Sequence, residues 1–131
     1  MKFETIRQTV LIGASPAEVY EAYVNPKKHA DFTGSPATGT PRVGGKFTAS
    51  DGYISGEYVE LERGKRIVHW WTTTEWPEGY PPSKMEPRLK PKGKKTELTI
   101  IHSKVPAEQA KRYAEGGQEY YLEPLKKYFG G

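Results

Sequence analysis

From residue 46 to residue 103 the chain is strand-like almost without a break, and beyond it one amphipathic stretch runs over 106–129. An antiparallel meander followed by a single long helix leaves that helix one apolar surface to cover, the concave face of the sheet. The strands read as 46–50, 53–62, 66–74, 83–90 and 96–103, with Asp51-Gly52, Arg63-Gly64 and the segment 92–95 as turns. Residues 83–90 alternate most cleanly. Lys84, Glu86, Arg88 and Lys90 share one face and Met85, Pro87 and Leu89 the other, the pattern of an antiparallel strand with one wet side. Pro87 has no N–H for a ladder, so the strand is predicted to bulge or fray there. In the tail, Ala110, Tyr113, Ala114, Gly117, Tyr121, Leu125 and Tyr128 recur at spacings of three and four. Gly116-Gly117 weakens that helix, and Pro124 removes the bond to the Tyr120 carbonyl, which predicts a kink.

Before the meander lie a strand and two short helices. Ile6, Val10 and Ile12 mark a half-buried strand over 3–12. In Ser15-Pro16-Ala17-Glu18 the serine can cap the first free amides, the proline suits the first helical position, and the glutamate can bond back to the cap. Val19, Tyr20, Tyr23 and Val24 follow at helical spacing. Asn25-Pro26 ends that helix and caps a second short one through Asp31. Residues 33–45, rich in Gly, Pro, Thr and Ser, read as loop.

The 131 residues fit one domain, 1–131. Aliphatic residues are sparse, but 12% of the chain is aromatic and the net charge is only +4, which argues for a lean, aromatic-rich core rather than disorder. No apolar run approaches a membrane span, and charges in Met1-Lys2-Phe3-Glu4 stand where a signal peptide would be apolar, so the expected compartment is the cytoplasm. With no cysteine there is no disulfide framework, thiolate zinc site or thiol nucleophile.

Several segments carry a family resemblance: Ser15-Pro16-Ala17-Glu18-Val19-Tyr20, Phe32-Thr33, Pro36-Ala37-Thr38, Gly44-Gly45-Lys46-Phe47 and Asp51-Gly52-Tyr53-Ile54-Ser55-Gly56-Glu57-Tyr58. Arg66-Ile67-Val68, Trp71, Trp76-Pro77-Glu78-Gly79, Thr96-Glu97-Leu98, Tyr120-Tyr121 and Phe129-Gly130 continue it in order over nearly the whole chain. The sequence resembles the C-terminal-type domain of the activator of heat-shock-protein-90 ATPase family, within the START-like, birch-allergen-like (SRPBCC) superfamily. The resemblance implies an α+β helix-grip fold: a six-stranded antiparallel sheet wrapped around a long C-terminal helix, with two short helices after the first strand. It implies a non-catalytic, cochaperone-like interaction domain whose partner is a chaperone of the heat-shock-protein-90 type, without the separate N-terminal domain of the eukaryotic cochaperones. Where the family usually has Gly-Trp in the last helix, this chain has Gly116-Gly117.

Members of the superfamily often hold an apolar ligand between helix and sheet, and binding of a small hydrophobic ligand is the alternative function. If Trp71 faces inward, so do Ile67, His69 and Thr73, and the same alternation turns Leu98, Ile100 and His102 inward. Tyr113, Gly117 and Tyr121 face them from the helix, with space left where Gly117 replaces a tryptophan. In the competing reading Trp71, Tyr113 and Tyr121 fill that gap as core. His69 and His102 suggest a metal or acid–base site, but Glu57 and Glu97 stand at no ligand spacing and hydrogen-bonded core histidines are the simpler reading. No catalytic triad order, phosphate loop or metal motif is present, so neither an enzyme nor a cofactor is expected.

Charge is concentrated in one hairpin. Lys84, Arg88, Lys90, Lys92, Lys94 and Lys95, against Glu86 alone, give +5 within twelve positions. The hairpin can face an acidic protein surface, or it is a solvated strand face with a lysine-rich turn that discourages edge pairing. No aromatic residue lies between Tyr80 and Tyr113 for base stacking, so nucleic acid is not an expected partner.

Overall fold

The computed structural model describes residues 1–130. Seven strands form one antiparallel sheet in the order β1-β7-β6-β5-β4-β3-β2. They are β1 (Phe3–Ile12), β2 (Thr38–Gly39), β3 (Lys46–Ala49), β4 (Ile54–Glu62), β5 (Arg66–Thr73), β6 (Ser83–Lys92) and β7 (Lys95–Pro106). The expected count of six is one short. β2 lies inside the segment read as loop, where Thr38 and Gly39 pair with Thr48 and Phe47. Two residues show no periodicity, and their pairing rests on β3 rather than on their own composition. The Thr38 and Thr48 hydroxyls lie 2.7 Å apart across it.

Two short helices follow β1. α1 (Pro16–Val24) starts on a complete capping box, with the Ser15 side chain accepting from the Glu18 amide and the Glu18 carboxylate from the Ser15 amide. Asn25 ends α1 and opens α2 (Pro26–Thr33), its side chain accepting from the Lys28 amide at 3.1 Å. α2 stops at Gly34, whose φ of 77° is the left-handed conformation that favours glycine.

Pro87 produces no bulge in β6. Its pairing with β7 runs in unbroken register from Lys84–Ser103 to Lys92–Lys95. The ladder lapses on the other side, where pairing with β5 stops at Arg66–Arg88 and resumes at His69–Met85, as a strand lacking one donor requires. The lysine-rich turn tightens to Gly93-Lys94.

The C-terminal helical run is not one regular helix. Pro106 closes β7, and a 3₁₀ turn (Ala107–Gln109) leads into α3 (Ala110–Gly117). A π turn (Gln118–Leu122) follows, in which the Glu123 amide bonds to the Gln118 carbonyl five residues back, and α4 (Glu123–Tyr128) completes the run. The kink expected at Pro124 is absorbed by that wider turn. One extra residue in the turn places Pro124 at the start of α4, where a missing N–H leaves no bond unmade.

The sheet's inner face divides along the strands. At one end Ile12, Val19, Ile67, Leu98, Leu122 and Leu125 are fully or almost fully buried and pack together. Toward the other end the same strands present Ile6 and Gln8 (β1), His69 and Trp71 (β5), and Ile100 and His102 (β7), and there the interior opens into a cavity.

Candidate functional site

The cavity has a volume of about 430 Å³ and lies between the sheet, α2 and the helical run. Such a volume falls in the range of small-molecule pockets. Of the residues expected to face it, His69, Trp71, Ile100, His102, Tyr113, Gly117 and Tyr121 line it. Ile67 and Leu98 do not; they lie one pleat closer to the packed end and belong to the core. Thr73 does not either; it lies behind Tyr113, with the two hydroxyls 2.8 Å apart. Trp71 is buried and Tyr121 packs against the core, and the cavity lies beside both.

Sequence reasoning passed over Tyr23 and His29 from the two short helices, and Phe47 and Tyr58 from β3 and β4. Tyr23 shares the apolar stripe of α1, so periodicity marks it as core. Phe47 owes its position to Gly56: a Cβ there would sit 2.6 Å from the Phe47 ring and 2.0 Å from the Trp70 carbonyl, so only glycine allows the ring across β4.

The buried polar groups of the wall are mostly paired. The Tyr23 hydroxyl lies 2.7 Å from His69 Nε2, and His69 Nδ1 lies 2.9 Å from the Trp70 carbonyl. A carbonyl only accepts, so Nδ1 carries the hydrogen and Nε2 accepts from tyrosine. His29 likewise donates from Nδ1 to the Tyr23 carbonyl at 3.0 Å. Ser83 donates to the Trp71 carbonyl at 2.8 Å, and its oxygen lies 2.7 Å from His102 Nε2. Burial pushes His69 down to about 4 and His102 to about 3, and it lowers His29 as well, so all three imidazoles are neutral near pH 7. Burial also raises Tyr23, Tyr58 and Tyr121, which keeps their phenols protonated. Among the described residues no Asp, Glu, Lys or Arg lines the cavity. Among the described residues no three His, Asp or Glu side chains group as a metal site requires.

An aromatic wall closes one side. Trp71 meets Tyr113 and His102 edge-on at 5.0 and 4.7 Å between centroids, and Trp76 stacks on Tyr113 at 5.9 Å. Tyr113 is held by Thr73 and by Gln109, whose Oε1 accepts from its hydroxyl at 2.7 Å.

The basic hairpin lies apart, and Lys84, Glu86, Arg88 and Lys90 project from the sheet face turned away from the cavity. Its charges are unequal. Glu86 is 7% exposed and is held by Arg88 at 2.6 Å, Arg66 at 3.5 Å and Lys84 at 3.9 Å. Burial works against its charge, but the Arg88 hydrogen bond and the surrounding cations outweigh it and hold the carboxyl below its ordinary range. Lys92 pairs with Glu97 at 3.8 Å. Lys90, Lys94 and Lys95 are exposed and have no ion-pair partner among the described residues.

A curved antiparallel sheet gripping a C-terminal helical run, with a cavity between them, defines the helix-grip class. The chain belongs to the Activator of Hsp90 ATPase homolog 1-like protein family, which matches residues 13–130. It is 36% identical over 126 residues to the human Activator of 90 kDa heat shock protein ATPase homolog 1, covering 96% of this chain and 36% of that protein. It therefore spans about a third of the length of such relatives. The crystal structure of an HSP90 activator from Plasmodium falciparum superposes with a TM-score of 0.88 at 24% identity over 96% of both chains. CalU16 from Micromonospora echinospora, 26% identical, superposes with a TM-score of 0.76 over 98% of this chain and 76% of its own. No helix among the described residues is long and apolar enough to cross a membrane.

Proposed function

We propose that the chain is a non-catalytic, cytoplasmic interaction domain of the cochaperone type, acting on a chaperone of the Hsp90 kind by surface contact. The observation that carries this reading is the 36% identity to a human Hsp90 ATPase activator across 96% of the chain. The cavity's histidines add support: His69 and His102 are neutral and hydrogen-bonded, and neither is set beside a carboxylate or cation that would ready it for acid–base work. The free lysines of the β6–β7 hairpin, Lys90, Lys94 and Lys95, supply a surface for an acidic partner. The test is a biosensor titration of the purified chain against an Hsp90-type chaperone, with the chaperone's ATPase rate read in parallel. Saturable binding is expected. Its absence at the highest soluble concentration rejects the cochaperone role.

A second reading has its own support in the cavity of about 430 Å³: the domain binds a small hydrophobic ligand there. Trp71 in its wall reports directly. Titration with naphthalene or 2-methoxynaphthalene is expected to change tryptophan emission saturably, and an unchanged spectrum up to the solubility limit rejects this reading.

A further inference from the structure

Resting on the reading of the cavity as a ligand site, we propose that its ligand is an uncharged aromatic or polycyclic compound bearing a hydroxyl or N–H group, and that this group donates a hydrogen bond to Nδ1 of His102.

Ser83 has one hydroxyl hydrogen, and the Trp71 carbonyl at 2.8 Å takes it. The 2.7 Å contact between Ser83 Oγ and His102 Nε2 must then be filled by a hydrogen on Nε2. His102 is thereby locked in one tautomer, with a bare lone pair on Nδ1. That nitrogen has no hydrogen-bond partner among the described residues. It is not sealed in packing either, because Tyr121 Oη is the only buried side-chain polar atom without a partner among those residues. His102 lines the cavity, so Nδ1 is an acceptor open to an occupant. His29 repeats the arrangement across the cavity: Nδ1 donates to the Tyr23 carbonyl, and Nε2 is left as a second acceptor.

The rest of the wall sets the ligand's class. Trp71, Tyr113, Phe47 and Tyr58 offer flat apolar faces. No cationic side chain is present to hold an anion, and two bare imidazole nitrogens repel one. No carboxylate offsets the desolvation of a cation. A neutral ring system with a donor matches both the faces and the unpaired acceptors.

The test uses the intact chain and three bicyclic probes of similar size: 2-naphthol, which can donate, 2-methoxynaphthalene, which cannot, and the anion 2-naphthoate. Calorimetric titration at pH 7.5 is expected to rank 2-naphthol about fivefold or more ahead of the methyl ether, as one hydrogen bond to a buried neutral acceptor implies. 2-Naphthoate is expected to bind weakest. In wild-type protein labelled with ¹⁵N, the His102 Nδ1 resonance should shift with 2-naphthol and stay still with the ether. His102→Phe should abolish the preference for 2-naphthol over the ether, and continued binding of the ether shows that the cavity persists. Equal affinity for 2-naphthol and the ether, with an unmoved Nδ1 resonance, overturns the donor assignment and leaves the hydrophobic-ligand reading standing. Tightest binding of 2-naphthoate overturns the requirement for a neutral ligand. Failure of all three probes to bind removes both.

Discussion

The hydroxyl of Tyr23 in α1 meets Nε2 of His69 in β5 at 2.7 Å, and this bond ties the first helix to the sheet at the cavity wall. His69 is 1% exposed, so its Nε2 has no substitute in bulk water. Tyr23→Phe keeps the ring and leaves Nε2 as an orphaned buried acceptor. The expected loss of stability is roughly 1–3 kcal/mol, read as a lower urea midpoint with an unchanged slope. In a His69→Leu background the same substitution should cost much less, because the acceptor is gone. An equal cost in both backgrounds would mean that the bond contributes nothing.

The buried histidines give the pH dependence a definite sign. Burial holds His69 at about 4 and His102 at about 3, against an ordinary value of 6.5. Below 6.5 the unfolded chain takes up protons at these positions that the folded chain refuses. Stability is therefore flat above that pH and falls on acidification toward 4. The slope is about 1.4 kcal/mol per pH unit for each histidine once the pH lies well between its two values. Glu86 is held below its ordinary value of 4.5, so its own loss comes only in stronger acid. The window from pH 6.5 to 5 thus reads the histidines. Urea unfolding at pH 7.5, 6 and 5 should show the decline, and His102→Phe should make it shallower. A flat profile across that window would contradict the burial of these rings as neutral groups.

Much of this architecture is legible in the residues, and the misses share one physical origin. The Ser15–Glu18 capping box, the Asn25 double cap and the inward set His69, Trp71, Ile100 and His102 follow from local rules of spacing and side-chain chemistry. Strand β2 and the π turn do not, because each answers a neighbour: Thr38 pairs with Thr48, and the turn makes room for Pro124. The cavity itself is split the same way. Alternation shows that Ile67 and His69 share a face, but not that His69 borders the cavity while Ile67 packs into the core with Leu125. Tyr23, His29 and Phe47 reach the wall from elements whose angle to the sheet no periodicity reports.

Gly117 offers a direct test of the open space. Its backbone is ordinary helix, and a Cβ there would approach only Gln8 Oε1, at 3.3 Å, on an amide that donates to the Ala114 carbonyl at 2.8 Å and must shift by a few tenths of an ångström to make room. Gly117→Ala should stabilise by about 0.5–1 kcal/mol through helix propensity alone. Gly117→Trp should add a further gain, within the roughly 0.5–2 kcal/mol usual for cavity filling, and should abolish the tryptophan response to 2-methoxynaphthalene. A lower urea midpoint for the tryptophan variant than for the alanine variant would show that the indole meets packed atoms instead of free volume.

The hairpin charges separate into two kinds with opposite expected behaviour. Arg88 holds the nearly buried Glu86 at 2.6 Å, so Arg88→Glu sets two carboxylates against each other and should lower the melting temperature. Lys90, Lys94 and Lys95 are exposed without ion-pair partners among the described residues, and replacing all three by Glu should move stability by no more than about 0.5 kcal/mol each. The triple variant is the clean probe of docking. If these lysines face an acidic surface on an Hsp90-type chaperone, long-range attraction carries much of the association rate, and salt screens it within about 8–10 Å. Biosensor traces should then show slower association for the triple variant at low salt, with wild type and variant converging at high salt and dissociation rates nearly unchanged. Identical association rates at low salt would leave the lysines as a solvated strand face that keeps the hairpin from pairing with another edge.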